Sequence, residues 1–126
     1  MSKNLSRDIQ VLVKILYYMN RIKDVISSRK IRNASEYGNN LEAKEMCAFA
    51  IMQVCELSKQ LTPDSVEAIS IIKSGNLIIK IRNMIAHDYE NTQYTIIYAF
   101  ALNMISTQSY REVYERIKYC TENKKK

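Results

Sequence analysis

The reactive side chains of this chain gather in one stretch, Arg82-Asn83-Met84-Ile85-Ala86-His87-Asp88-Tyr89. It holds the only histidine in 126 residues, five positions after an arginine and two before a tyrosine. Histidine is the one side chain whose unperturbed pKa, about 6.5, lets it both take and give a proton near neutrality. Arginine offers a planar, permanently charged fork that matches two phosphate oxygens at once. A base beside a phosphate clamp is what metal-free cleavage of RNA requires. The 2′-hydroxyl loses its proton and attacks the adjacent phosphorus, and arginine holds the charge that gathers on the non-bridging oxygens. The 2′-hydroxyl also separates RNA from DNA as a substrate. A structural reading stands beside this one: a histidine near a helix C-terminus is favoured by the helix dipole, and an Arg–Asp pair can be a surface ion pair.

The spacing constrains the chemistry. Five residues of ideal helix turn through roughly 140°, so Arg82 and His87 do not share a face, whereas Asn83 and His87 do. Either the helix ends near Ala86 and His87 swings round, or a second copy of the motif completes the site. Transesterification also wants an acid as well as a base, and each chain has one histidine. Both points favour a site at a twofold dimer interface.

Arg-x4-His-x-Tyr at the end of an apolar helical stretch resembles the signature of the HEPN superfamily. The nearest likeness is to its small HepT-like branch, the toxin halves of nucleotidyltransferase-paired toxin–antitoxin systems, and it covers most of the chain. The resemblance implies a metal-independent endoribonuclease whose site forms in a homodimer. His87 would be the general acid/base and Arg82 the phosphate clamp, with Asn83 and Asp88 orienting His87 or the partner's motif. It further implies a cognate nucleotidyltransferase antitoxin that transfers AMP from ATP onto Tyr89. A glutamate is common in the second helix of that branch, usually after a glycine. Here Glu56 follows Cys55, and it either points towards Arg82 or serves as a surface or salt-bridging residue. Two other readings stay open, a non-catalytic nucleotide-binding or accessory subunit of a nucleotidyltransferase and a purely structural helical dimer.

Length and composition predict one all-α domain over residues 1–126, large enough to bury a core. Two Gly, one Pro and 47% hydrophobic residues describe helices with few tight turns. No apolar run reaches the roughly 18 residues of a membrane span, and Met1-Ser2-Lys3-Asn4 lacks a secretory segment, so a cytoplasmic protein is expected. Cys47, Cys55 and Cys120 form no Cys-x-x-Cys, and one histidine cannot complete a zinc set, so buried free thiols and no metal or cofactor are expected. The net charge of +6 suits a polyanionic partner without specifying one. Nine tyrosines against two phenylalanines suit the edges of helical cores and interfaces.

The elements that must position the motif follow from periodicity and predict an antiparallel bundle of about five helices. Leu5, Ile9, Leu12, Leu16, Met19, Ile22 and Ile26 mark a first helix, capped by Asn4 or Ser6, with Arg7, Asp8, Lys14, Arg21, Lys23 and Asp24 on its other face. The polar, basic stretch from Ser27 to Asn40 breaks the pattern, and its Arg29, Lys30 and Arg32 are either an RNA contact or a solvated connection. A second helix spans about Leu41 to Leu61. Thr62 caps a short helix with Pro63 at its first position, running to about Ile72. Leu77, Ile78, Ile81, Met84 and Ile85 form the apolar face of the motif helix, and Arg82 lies outside it. Glu90 to Gln93 reads as a loop or cap, and Tyr94 to Ile105 as a central helix, apolar nearly all round. Tyr110, Val113, Tyr114 and Ile117 mark a final amphipathic helix, and Lys124 to Lys126 a frayed tail.

Overall fold

A computed structural model describes residues 2–73, 75–88 and 94–124, without the side chains of 2–3, 75–78 and 86–88. The described residues form five long helices, α1 (Ser2–Ser28), α3 (Leu41–Ser58), α6 (Gly75–Asp88), α7 (Tyr94–Met104) and α8 (Thr107–Asn123). Three short ones lie in the connections, α2 (Ala34–Gly38), α4 (Pro63–Ala68) and α5 (Ser70–Lys73). The protein is an all-α bundle, as the periodicity predicts, and the short helices bring the total above the expected five. No described helix is long and apolar enough to cross a membrane.

Helix α1 is the axis of the packing, lying against both α3 and α8. It runs antiparallel to α3, because Tyr18 meets Phe49 and Arg21 meets Met46 as one helix ascends and the other descends. It is also antiparallel to α8, with Asn20 near Tyr110 and Asp8 near the Ser65–Arg116 pair. Two neighbours demand a wider apolar face than one, so Val11, Ile15 and Val25 are buried beside the expected Leu12, Met19 and Ile22. The helix starts at Ser2, so neither Asn4 nor Ser6 caps it. It ends with Lys30 at φ 54°, in the left-handed region. The Lys30 N–H donates to Ser27 O and the Ile31 N–H to Ile26 O, which closes the last turn while Ile31 enters the core.

Two expectations about polarity change. Asp8 is not on the outer face of α1; it is fully buried. It accepts from the Thr62 backbone N–H at 3.1 Å, the Thr62 hydroxyl at 2.6 Å and the Ser65 hydroxyl. Ser65 in turn accepts from Arg116 Nε at 2.8 Å. A buried carboxylate needs such partners, and here they tie α1 to α4 and α8. Helix α7, expected to be central, buries Ile97, Tyr98, Phe100, Ala101 and Met104 but leaves Tyr94, Ile96 and Leu102 exposed.

The short helix expected to reach Ile72 is divided at Ile69, which is extended (φ −120°, ψ 105°). Ile69, Ile71 and Ile72 are all buried. An unbroken helix would set Ile69 and Ile71 about 200° apart, so it could not bury both against one core. Thr62 and Pro63 take the cap and first-turn positions the sequence predicts.

Candidate active site

The phase of α6 is set by its apolar side. Ile81 and Ile85 are buried and Met84 is partly buried against the core, so the intervening Arg82 and Asn83 are turned outward. The helix runs on to Asp88 and therefore does not end near Ala86. Over that uninterrupted helix the backbones of Arg82 and His87 stand about 140° apart around the axis and about 7.5 Å along it. Asn83 and His87 share a face; Arg82 and His87 do not. The side chains of His87 and Asp88, and the whole of Tyr89, lie outside the described residues.

Arg82 has an unusual environment. Its Nε is buried and makes no hydrogen bond among the described residues. The nearest carboxylate oxygen, Glu56 Oε2 on α3, is 3.7 Å away, close enough for an ion pair and too far for a hydrogen bond. The side chain as a whole is 39% exposed. The side chain thus lies against α3 with its Nε enclosed and part of its surface open. The exposed remainder of this permanently charged side chain, not the enclosed Nε, is what an incoming anion meets.

Glu56 is the residue that local pattern left undecided. The structure turns it to both basic neighbours, Lys59 Nζ at 3.0 Å and Arg82. The hydrogen bond from Lys59, then the charges of Lys59 and Arg82, hold its carboxyl below the usual carboxylate range. Periodicity within α3 shows only that Glu56 is exposed; the packing of α6 on α3 brings it to Arg82. The preceding residue, Cys55, is buried, and burial pushes its thiol up. Cys47 and Cys120 are likewise free and buried, with Cys47 pushed up to about 12 by the same cause.

Two cations of the densest internal basic segment, Arg29 and Arg32, are paired within the fold. Arg29 pairs with Glu42, and Arg32 pairs with Glu36 at 2.8 Å. That arrangement favours the solvated-connection reading of Arg29 to Arg32. Comparison with protein-family models, with curated proteins and with solved structures found no match to this chain.

Proposed function

We propose that this chain is a metal-independent endoribonuclease, the toxin of a toxin–antitoxin module, acting as a homodimer. The observation that carries the reading is Arg82, partly open to solvent, with a buried Nε that makes no hydrogen bond among the described residues, on the same helix as the sole histidine. In the proposed reaction His87 takes the proton of the RNA 2′-hydroxyl, and the 2′-oxygen attacks phosphorus. The 5′-oxygen leaves, taking a proton from an acid, and a 2′,3′-cyclic phosphate results. Arg82 stabilises the non-bridging oxygens, and Asn83, one turn before His87 on its face, orients the imidazole with Asp88. Because Arg82 and His87 of one chain diverge, the second histidine comes from the partner copy and supplies the acid.

Control is proposed at Tyr89. A partner nucleotidyltransferase transfers AMP from ATP to the tyrosine hydroxyl with loss of pyrophosphate. The added phosphodiester is a tethered anion that competes with RNA for Arg82.

The deciding experiment is RNA cleavage by wild type, His87→Ala and Arg82→Ala proteins, each shown to be folded, with EDTA throughout. Wild type is expected to cut and each variant to lose about 10²–10⁴ in rate, the usual loss for a positioned proton-transfer or charge-stabilising group. Full cleavage by folded His87→Ala sinks the assignment. For Tyr89, co-expression with the partner should add AMP masses to the wild type and none to Tyr89→Phe. A Tyr89→Phe protein still modified and silenced would place control elsewhere.

A further inference from the structure

The N-terminal half of α1 carries a second feature that the motif does not use. Asn4, Ser6, Arg7, Gln10 and Lys14 line a groove of about 500 Å³, closed by Gln60 beyond the end of α3, with the buried Val11 also lining it. That volume is within the range of ligand-binding clefts. None of these polar side chains makes a hydrogen bond or ion pair among the described residues. Arg29, Arg32, Lys59 and Lys73, by contrast, are all paired with glutamates. The groove lining contains two cations and no acid.

The burial of Asp8 produces this asymmetry. From Ser2 to Lys14 it is the one acid of α1, beside Lys3, Arg7 and Lys14. Its charge is directed inward, to Thr62 and Ser65, so Arg7 and Lys14 have no acid of the same turns beside them at the groove. The groove also adjoins the candidate site in the chain. Gln60 follows Glu56 by four residues, and Glu56 is 3.7 Å from Arg82.

We propose that this groove holds the single RNA strand flanking the scissile phosphate, with two of its phosphates on Arg7 and Lys14. The neutral side chains Asn4, Ser6, Gln10 and Gln60 face its sugars and base edges. The nature of the ligand rests on the ribonuclease reading; the position and charge of the groove do not. The basic footprint is therefore on α1, and Arg29 to Arg32 contribute little to it.

The test measures anisotropy of a fluorescein-labelled, mixed-sequence single-stranded oligoribonucleotide binding the cleavage-deficient His87→Ala protein across a NaCl series. Arg7→Gln/Lys14→Gln, added to that background, removes two phosphate contacts. The slope of log affinity against log salt should become shallower by about 1.4, since each contact on a single strand contributes about 0.7. Arg29→Gln/Arg32→Gln should leave the slope unchanged. Both pairs are exposed, so matching circular-dichroism melts are expected and checked. An unchanged slope in Arg7→Gln/Lys14→Gln overturns the proposal, as does a loss confined to Arg29→Gln/Arg32→Gln. Absence of RNA binding by the His87→Ala protein overturns it too, and so does Arg7- and Lys14-dependent binding of AMP alone. The cleavage assay is read separately. Full cutting by folded His87→Ala with the slope loss intact would retire His87 as the proton-transfer residue and leave the groove standing.

Discussion

Arg82 combines two properties that rarely coexist in a simple surface arginine: a buried N–H without an acceptor among the described residues, and a carboxylate partner just beyond hydrogen-bond reach. Glu56 therefore orients the guanidinium more than it neutralises it. An exposed ion pair contributes little, at most about a five-fold effect. Glu56→Gln is expected to lower RNA cleavage by no more than that, far less than Arg82→Ala. Initial-rate measurements on the two variants side by side check the ordering; a Glu56→Gln loss as large as that of Arg82→Ala would make Glu56 a participant in the chemistry. Because its pKa is depressed, Glu56 stays charged as pH falls through the ordinary carboxylate range. The pair with Arg82 is accordingly present above that range and is lost only when pH falls through the depressed value.

Helices here are located by a few polar devices as much as by their apolar faces. Asn33, Asn40, Thr62 and Ser106 each cap the helix that follows, accepting from a backbone N–H three residues on. Asp8 acts between elements. It takes the Thr62 N–H and hydroxyl at the start of α4, where the helix dipole favours negative charge, and through Ser65 it reaches Arg116 of α8. Asp8→Ala would leave those buried donors without their acceptor. At roughly 1–3 kcal/mol for each unsatisfied group, a destabilisation of about 3 kcal/mol or more is expected, lowering Tm by about 10 °C. Urea unfolding followed by circular dichroism measures it, and a change below about 1 kcal/mol would show that water replaces the carboxylate. The same substitution should leave Arg82 and its surroundings unaltered.

For the molecule as a whole, the apolar surface left uncovered is the informative quantity. Helix α7 is apolar nearly all round, yet Ile96 and Leu102 remain 45% and 40% exposed. Val13, Tyr17 and Phe49 are exposed on α1 and α3, the two rings each in contact with Tyr18. A helix with no polar face is normally enclosed, and a second copy of the chain is the occupant that the divided Arg82/His87 geometry calls for. If each dimer needs both histidines, equal mixing of wild type with His87→Ala chains, allowed to exchange, gives about one quarter fully active dimers. Activity should then fall to about a quarter of that of wild type alone at the same total chain concentration, against about half for simple dilution. A monodisperse monomer by sedimentation that still cuts RNA would contradict the dimer.

The five long helices, their class and most of their ends were legible in the chain, because each depends on contacts only three or four residues apart, whereas α2 lies in a stretch read as a break. Repeating apolar positions gave α1, α3, α6 and α8, and Thr62-Pro63 announced α4. The motif was legible as chemistry, since a lone histidine after an arginine is a statement about residue types. What depends on distant segments could not be read locally. Asp8 looks like any outer-face carboxylate until Thr62 and Ser65 arrive 54 and 57 residues later to accept its burial. Glu56 finds Arg82 only because α6 packs on α3, and Arg29 loses its free charge only when Glu42 of α3 folds beside it. Ile69 leaves the helical path because the core takes three isoleucines that one helix face cannot supply. Sequence determined which chemistry the chain could hold; tertiary packing decided which charges stayed free to do it, since a charge is neutralised by what lies near it in space.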